Sequence, residues 1–436
     1  MHGVTDSLHY TRKNILNALV FALRHPHMMW VLLCCVYVSA ALADEPAHNS
    51  SEATFLSLQK EKGFSFYYHN KVSLLPTCQI KYDSLLADIS RARHYVHLDY
   101  FRFQKDSVTT ALFDMLKRKA AEGVEVRVVF DAFANRNGAK PLKNRYIRQL
   151  RRSGVKIYAF DKLRFPWFNH LLHRNHHKVA VIDGKCVYSG GMNVADYYLH
   201  GKPRIGEWRD MHFRAAGDMV DGYEKVFADM WYAVSKERLD SAKYAAHVDR
   251  DDSMLVAVTQ RVPRVTPAVM RRLYCVAIDN ARDSIQIVNP YPCLFGEVKN
   301  SLYRALERGV KVHVMVSVES DGRANGDVTA LEMKKLADRG AYVWYCSGSF
   351  HHSKIMMVDG LFCTIGTANL DGRSLSYDYE VNSVFFDVQL TRQLQDIFEK
   401  DRAEDCRLLT RDYWRDLCPP RRRIRAGVFS IIKKMM

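Results

Sequence analysis

The sequence of 436 residues lacks the spacings that hold a structural metal, since it has no Cys-x-x-Cys pair and no zinc-ligand pattern. Long apolar runs are also scarce. The one clear apolar segment, residues 28–43, is short for a bilayer span. Acidic residues are fewer than basic ones, 48 against 64, which gives a net charge of +16. These features argue against a zinc-stabilised domain and indicate an anionic partner: nucleic acid, an acidic membrane surface or a phosphate-bearing substrate.

The apolar segment carries the marks of an export signal. It ends in Ala41-Leu42-Ala43, a small-residue pattern that suits signal cleavage, and basic residues precede it. Residues 1–43 are therefore predicted to be a cleaved signal peptide or, alternatively, an uncleaved membrane anchor. In both cases the basic flank stays in the cytoplasm and the remainder of the chain is exported.

Four of the ten cysteines fall in apolar, strand-like runs. We expect these to be small buried hydrophobic side chains, namely Cys186, Cys275, Cys346 and Cys363. An exported compartment would permit disulfides, but the sequence assigns no pairing.

Strand-like and helical segments alternate along the chain, which predicts a layered α/β fold. Helical spacing over residues 108–122 stops at Gly123, and a β-branched strand follows over 124–130. The same plan returns with a helix over 298–307, Gly309 and a strand over 310–316. The chain is therefore predicted to be a duplicated domain. The expected segments are a linker (44–63), a first domain (64–247), a second domain (248–416) and a basic amphipathic tail (417–436).

One motif occurs in both halves. The first copy has His176, Lys178, Asp183-Gly184 and Asn193, and the second repeats the spacing with His352, Lys354, Asp359-Gly360 and Asn369. Asp-Gly predicts a two-residue hairpin turn. Counting back from each turn places the small residues Gly191 and Thr367 opposite the histidines, where they would leave room for a ligand. Asp183 and Asp359 then lie about 20 Å from the histidines, so we expect them to be structural.

The residue types of the motif suit phosphodiester chemistry. One histidine can attack phosphorus while the other protonates the leaving oxygen, and lysine and asparagine donate to phosphate oxygens. We expect no cofactor and no metal, because the lysines stabilise the developing charge. Each imidazole also needs an orienting acceptor, for which Glu380 and Asp210, favoured over the nearby Glu207, are the candidates. The neighbouring His173, His177 and His351 are interpreted as pocket rim or surface.

At these residues the chain resembles the phospholipase D superfamily, whose pattern His-x-Lys-x4-Asp-x6-Gly-(Gly/Ser/Thr)-x-Asn is present twice. Within it, the stretches Trp208-Arg209-Asp210 and Asn369 to Ser374, with Glu380, are most similar to bacterial cardiolipin synthases. The resemblance implies two α/β/α sandwich domains that share one active site, and a phosphohistidine intermediate. It implies transfer of a phosphatidyl group between two phosphatidylglycerol molecules, with His176 as nucleophile and His352 as acid and base.

Other functions remain open at this point. The chain could hydrolyse phospholipid as a phospholipase D, cleave nucleic acid, or bind phosphate without catalysis. Export disfavours nucleic acid as a partner, so we expect an anionic phospholipid and a membrane surface instead. The tail and the aromatic loop at residues 165–168 could contact that surface, although the tail could equally be solvated. The expected location is the bacterial cell envelope, on the periplasmic side of the inner membrane.

Overall fold

The computed structural model describes residues 49–166, 171–249 and 251–435. The predicted leader at residues 1–43 lies outside these ranges, as do Trp167 and Phe168 of the aromatic loop. Within the described ranges, no helix combines the length and the apolar character that crossing a bilayer requires.

Eighteen strands in the described ranges build two large sheets and one short ladder. In chain order they are β1 (Phe64–Tyr67), β2 (Asn70–Leu75), β3 (Tyr95–Tyr100), β4 (Glu125–Asp131), β5 (Lys156–Phe160), β6 (Lys178–Ile182), β7 (Cys186–Gly190), β8 (Glu207–Arg209), β9 (His212–Gly217), β10 (Val256–Arg261), β11 (Ser284–Val288), β12 (Lys311–Ser317), β13 (Tyr342–Cys346), β14 (Ser349–His351), β15 (Ile355–Val358), β16 (Phe362–Gly366), β17 (Glu380–Phe385) and β18 (Cys406–Leu408).

Helices connect and cover these strands. In chain order the described ones are α1 (Ser50–Gln59), α2 (Cys78–Arg91), α3 (Ser107–Ala121), α4 (Ala132–Arg136), α5 (Asn144–Arg152), α6 (Asp196–His200), α7 (Met219–Ser235), α8 (Val269–Asp279), α9 (Gly296–Glu307), α10 (Arg323–Ala337), α11 (Gly372–Ser376), α12 (Val388–Asp405), α13 (Arg411–Leu417) and α14 (Pro420–Ser430). A short 3-10 turn at Lys433–Met435 follows.

The two sheets repeat one design, which confirms the predicted duplicated α/β fold. The first has the order β2-β9-β7-β6-β3-β4-β5, and the second contains β10-β17-β16-β15-β11-β12-β13 in the same relative arrangement. In each, three parallel strands adjoin an antiparallel hairpin that carries the repeated motif. The predicted helices and strands are present with ends that move by one or two residues.

Side chains on the motif hairpins alternate between two cores, because successive residues of a strand point to opposite faces. In β6, Val179 and Val181 enter a central cluster, whereas Ala180 packs under the helices of the first half. In β15, Ile355 enters the same central cluster. The two sheets therefore share a core, and the halves are packed as one body around it.

The turns of both hairpins differ from the predicted register. Asp183 and Gly184 do form a turn with positive φ at both residues, and Lys185 N–H donates to the Ile182 carbonyl. However, Ile182 pairs with Cys186 rather than with Lys185, and Val358 pairs with Phe362. One extra residue therefore stays outside each ladder, as in a β-bulge. The register that placed Gly191 and Thr367 opposite the histidines is wrong by one residue.

The predicted linker at residues 44–63 is wrong in part, because α1 occupies much of it. This helix packs on α8 through Leu58, which is fully buried, and Phe55 makes edge contacts with Phe66 and Phe386. The next strand, β1, pairs with β10 of the second sheet. Residues 64–67 therefore belong with the second half, although we assigned them to the first domain.

One expectation for the cysteines is also wrong. Cys186, Cys275 and Cys363 are buried and free, as expected, but Cys346 forms a disulfide with Cys406. The two residues are direct partners in the antiparallel pair of β13 and β18, so the bond joins the edge strand to the sheet.

Candidate active site

Each motif histidine is bound by a carboxylate from the other half of the chain. His176 Nδ1 lies 2.8 Å from Glu380 Oε1, and His352 Nδ1 lies 2.7 Å from Asp210 Oδ2. All four side chains are buried or nearly so. The predicted acceptors are therefore the residues that the structure places on the imidazoles, in a crossed arrangement.

The backbone enforces this crossing. His176 N–H donates to the Tyr379 carbonyl at 3.0 Å, and His352 N–H donates to the Arg209 carbonyl at 2.7 Å. Tyr379 and Arg209 immediately precede the two carboxylates in the chain. Each histidine is thus held twice by the opposite half, once through its backbone and once through its ring. The site forms only when the two halves are packed together.

The small residues of the motifs accommodate these carboxylates rather than a ligand, which corrects our expectation. A Cβ atom added at Gly191 would lie 2.2 Å from Asp210 Oδ1, so only glycine leaves space for that side chain. In the second copy, Thr367 donates to Glu380. In both motifs, the residue after Gly190 or Gly366 therefore contacts the carboxylate that orients the histidine of the other half.

Both motif lysines are buried beside their own histidine. Lys178 Nζ donates to the His176 carbonyl at 2.6 Å, and Lys354 Nζ donates to the His352 carbonyl and lies 3.0 Å from its Nδ1. Within the part of the chain that the structure describes, neither ammonium group has a carboxylate within 4 Å. A buried ammonium without a counter-ion is costly, so this arrangement favours an anion between the two lysines.

Burial dominates the electrostatics of the site. It lowers the pKa of Lys178 to about 7 and that of Lys354 to about 8, with Glu380 and Asp210 opposing the shift. Burial, and then the positive charge of Lys178 and Lys354, lower the pKa of His176 and His352 respectively well below the ordinary value. Both imidazoles are consequently neutral at pH 7, and no described residue hydrogen-bonds to either Nε2.

The carboxylates shift in the opposite direction. Burial raises the pKa of Asp210 and of Glu380 to about 7 each, although Lys354 and Lys178, respectively, act against it. The lysine of each half therefore lowers the pKa of the carboxylate that comes from the other half. A proton can be held or released by these pairs near neutral pH, which is the range in which acid and base catalysts operate.

The two motif asparagines have different surroundings. Asn193 has a partner at both polar side-chain atoms, since its Oδ1 accepts from the Arg102 N–H at 3.1 Å and its Nδ2 donates to Tyr198 at 2.9 Å. Asn369 is also buried, but its Oδ1 has no hydrogen-bond partner among the described residues. Of the two amides, that of Asn369 is therefore the one that is available to a bound molecule.

The turn aspartates lie away from the chemistry, at the far ends of their hairpins. Asp183 accepts backbone N–H bonds of 2.8 Å from Arg93, His94 and Tyr95. Asp359 does the same for residues 282–284, at 2.8 to 2.9 Å. Each carboxylate fixes the start of the strand that neighbours its own hairpin.

Residues 85–231 and 274–402 match the family described as cardiolipin synthase, PLD-like domain. The chain is 32% identical to a probable cardiolipin synthase of Bacillus subtilis, over 78% of this chain and 67% of that protein. It is 32% identical to the cardiolipin synthase of Oceanobacillus iheyensis, over 83% of this chain and 74% of that protein. The chain belongs to the cardiolipin synthase family. The predicted membership is thereby confirmed, and this family member is an enzyme of the phosphatidyltransferase type.

Solved structures agree on the fold. A phosphatidylserine synthase from Haemophilus influenzae superimposes with a TM-score of 0.65 at 14% identity, covering 88% of this chain and 100% of that one. A polyphosphate kinase from Porphyromonas gingivalis gives a TM-score of 0.53 at 17% identity, over 78% of this chain and 48% of that one. At these identities the likeness shows the fold alone.

Several histidines outside the motif are structural, contrary to our interpretation of them as rim or surface. His177 is fully buried and lies 2.9 Å from Asp99, and His351 is buried near Asp401. Their Nε2 atoms are enclosed and have no hydrogen-bond partner in the described part of the chain. Only His173 is part-buried, with its Nδ1 2.8 Å from the Tyr377 carbonyl.

Sequence reasoning missed the aromatic residues around His352. The rings of Trp208, Phe350, Tyr198 and Tyr291 have centroids 5.2, 5.8, 6.1 and 6.3 Å from that imidazole. These residues follow the first motif or precede the second, so no local pattern joins them. These four rings surround His352. Among the described aromatic residues outside the motifs, His176 has one such neighbour, Phe101, with a centroid distance of 4.9 Å.

Proposed function

We propose that this enzyme joins two phosphatidylglycerol molecules into cardiolipin and releases glycerol, through a phosphohistidine intermediate. The observation that supports the proposal most strongly is the pair of buried ammonium groups of Lys178 and Lys354. Among the described residues, these groups have no carboxylate within 4 Å, and the two neutral imidazoles beside them have no hydrogen-bond partner at Nε2. A phosphodiester anion satisfies the lysines and brings phosphorus within reach of an imidazole.

In the first step, Nε2 of His176 attacks the phosphorus of the donor lipid. The P–N bond forms while the bond to the glycerol oxygen breaks, and that oxygen takes the Nε2 proton of His352. His352 carries its proton on Nε2 when Asp210 is protonated and donates to Nδ1. The raised pKa of Asp210, about 7, makes this form available near neutrality. As the Nε2 proton leaves, the Asp210 proton moves to Nδ1, so His352 stays neutral and Asp210 becomes ionised. Lys178 and Lys354 stabilise the charge on the phosphate oxygens.

In the second step, the hydroxyl of a second phosphatidylglycerol replaces glycerol. His352 Nε2 accepts the proton of that hydroxyl while Nδ1 returns its proton to Asp210. The new P–O bond forms, and the P–N bond to His176 breaks. The assignment of His176 as nucleophile has support from its acceptor. Glu380 receives the Thr367 hydroxyl as well as His176, and both contacts favour its ionised form. An ionised Glu380 keeps the His176 proton on Nδ1 and leaves Nε2 free to attack.

Product analysis tests the proposed reaction. Purified enzyme is incubated with phosphatidylglycerol vesicles, and the lipids and free glycerol are quantified. Cardiolipin and glycerol in equal amounts are the expected result. Phosphatidic acid in place of cardiolipin would show hydrolysis and would refute the transfer reaction. A His176→Ala variant serves as the control for contaminating activity.

We propose further that the tail contacts the anionic membrane surface. The tail is defined here as residues 420–435, which contain α14 and the turn at residues 433–435. The inner side of the tail is docked on α10. Arg422 and Arg425 bind Asp327, and Lys433 lies 3.0 Å from Glu332. Its outer side exposes apolar residues, with Ile424 at 72% and Ile431 at 83% exposure.

The position of the tail relates it to the active site. The turn at residues 433–435 packs on α11, which begins three residues after Asn369. A Cβ atom at Gly372 would meet the backbone of Lys434, so the contact is close. Basic and apolar exposed residues together suit an acidic bilayer surface. A tail seated there would hold the second motif next to its lipid substrate.

The proposed location is the periplasmic side of the inner membrane. The apolar segment before Ala43 and the disulfide between Cys346 and Cys406 both support an exported, oxidising compartment. Labelling of the exposed tail in intact cells and in lysed cells, with a membrane-impermeant lysine reagent, distinguishes the two sides. Modification of Lys434 only after lysis would place the enzyme in the cytoplasm instead.

A further inference from the structure

Beyond Lys178 and Lys354, some cations near the two histidines are neutralised by a carboxylate and others are not. Close to His176, Arg174 binds Asp131 and Arg373 binds Asp378, each within 2.9 Å. On the side of His352, Lys202 has no ion pair within 4 Å among the residues that the structure describes. The same is true of Arg102, which lies 5.5 Å from the Phe101 ring.

Lys202 is held close to His352 by aromatic side chains. Its ammonium group lies 4.0 Å from the centre of the Tyr197 ring and 4.8 Å from that of Trp208, and Trp208 is in turn 5.2 Å from the His352 ring. One indole ring thus separates the charge from the imidazole. The side chain is half-buried, so its charge is only partly screened by water.

The backbone around Lys202 fixes its position at the junction of the two halves. Lys202 N–H donates to the Gly206 carbonyl at 3.0 Å, and Gly206 N–H donates back at 2.9 Å, which closes a tight turn. Glu207 then donates to the Gly348 carbonyl of the second half, at 3.2 Å. The ammonium group is therefore presented by a rigid turn that is anchored on both halves of the site.

The net charge of the groups around the Lys202 ammonium is what one bound phosphodiester anion would neutralise. Lys202 interacts electrostatically with Arg102 and Asp321, and Asp321 accepts a hydrogen bond from Tyr291. Two cations and one carboxylate leave a net charge of +1, which one phosphodiester anion would neutralise. Lys178 and Lys354 are already committed to the phosphate that is transferred, so this charge is available for a different phosphate.

We infer that Lys202, with Arg102 beside it, binds the phosphate of the acceptor lipid. The inference rests on the proposed function and names the partner in its second step. The leaving glycerol and the incoming hydroxyl both exchange a proton with His352, so both occupy its side of the site. A phosphatidylglycerol acceptor differs from glycerol or water there by carrying a phosphate anion. A cation one ring away from His352 therefore selects an anionic lipid as acceptor over small neutral nucleophiles.

Two reactions of the same enzyme separate acceptor binding from the remaining chemistry. Cardiolipin formation requires an anionic acceptor, whereas incorporation of labelled free glycerol into phosphatidylglycerol requires only a neutral one. Both are measured together on phosphatidylglycerol vesicles, with the full chain. The variants are Lys202→Gln, which removes the charge, and Lys202→Arg, which keeps it. Arg204→Gln is the matched control, because Arg204 is an exposed cation of the same turn.

We expect Lys202→Gln to lower the ratio of cardiolipin to exchanged phosphatidylglycerol about tenfold, which is typical of one lost charge-assisted contact. Lys202→Arg should restore most of the ratio, and Arg204→Gln should leave it unchanged. Thermal unfolding of each variant reports on folding. An unchanged ratio in Lys202→Gln, with both reactions reduced equally or not at all, would overturn this inference alone. The absence of both products with the unchanged enzyme would refute the proposed function as well.

Discussion

The hydroxyl of Thr367 donates a 2.5 Å hydrogen bond to Oε2 of Glu380, while the other oxygen of Glu380 binds His176 across the junction of the halves. Thr367 of the second motif thus helps to orient, through Glu380, the histidine of the first motif. The reverse contact is made without a hydroxyl, because Gly191 leaves space for Asp210 to reach His352. The two half-sites are related by duplication, yet their histidines have different acceptors and different surroundings.

Removing the acceptor should impair the nucleophile. Glu380→Gln is expected to lower kcat at least about a hundredfold, because the amide no longer favours the Nδ1–H form of His176. Thr367→Val should cost about tenfold, since it removes one donor to Glu380 and keeps the side-chain volume. Steady-state kinetics on phosphatidylglycerol vesicles measure both effects. Full activity of Glu380→Gln would show that Glu380 does not orient the catalytic imidazole.

Covalent labelling should distinguish the two histidines. With phosphatidylglycerol labelled at phosphorus, rapid acid quenching of the wild-type enzyme should trap label on the protein. His176→Ala should abolish the label and lower turnover by a factor of about ten thousand. His352→Ala should also be slow, but it should retain label, because its product-forming step lacks a base. Label that persists in His176→Ala and disappears in His352→Ala would reverse the two roles.

The pH profile of kcat/KM is expected to be bell-shaped with a maximum near pH 7. Glu380, with a pKa of about 7, must lose its proton to orient His176, so activity rises with pH through that value. Lys178 and Lys354 must keep theirs to bind phosphate, and Asp210 must keep its proton so that His352 carries one on Nε2. The pKa values of these three groups, about 7, 8 and 7, set the fall at higher pH. Kinetics from pH 5 to 10 measure the profile.

Asp183 should contribute to stability rather than to chemistry. Asp183→Ala leaves three backbone N–H groups at the start of β3 without an acceptor, which should lower the free energy of unfolding by about 2–4 kcal/mol. Asp359→Ala is the matched variant in the second half. Denaturant unfolding measures the loss, and kcat at a temperature where the variants stay folded should change little. A large loss of kcat in a folded variant would contradict the structural role.

Local patterns in the sequence were sufficient to predict the fold class, the two motifs and the two candidate acceptors, Asp210 and Glu380. A His-x-Lys pair followed by Asp-Gly is a short-range signal, and the apolar alternation around it defines a hairpin. The crossing of His176 to Glu380 and of His352 to Asp210 could not be read in this way, because it depends on how the two sheets pack. The same holds for Lys202 and Trp208, which approach His352 only when the halves meet.

The errors have physical causes that act at short range. The predicted hairpin register was wrong because Lys185 stays outside the ladder, as a single bulged residue. The amino-acid composition of the turn does not indicate such a bulge. The linker prediction failed because α1 has no apolar stripe in its sequence: two of its three buried residues, Ser50 and Thr54, are polar. Tertiary contacts of Leu58 and Phe55 stabilise this helix instead. Both features are decided by packing against residues far away in the chain.

The outer side of the tail should bind an acidic bilayer. Val428→Ser combined with Ile431→Ser removes two exposed apolar side chains and leaves the ion pairs of Arg422 and Arg425 with Asp327 intact. Binding to vesicles that contain phosphatidylglycerol should weaken about five- to tenfold, because less apolar surface enters the interface. Ile80→Ser, an exposed isoleucine of α2, is the control and should leave binding unchanged. Equal binding of the tail variant and the wild type would show that another surface of the enzyme contacts the membrane.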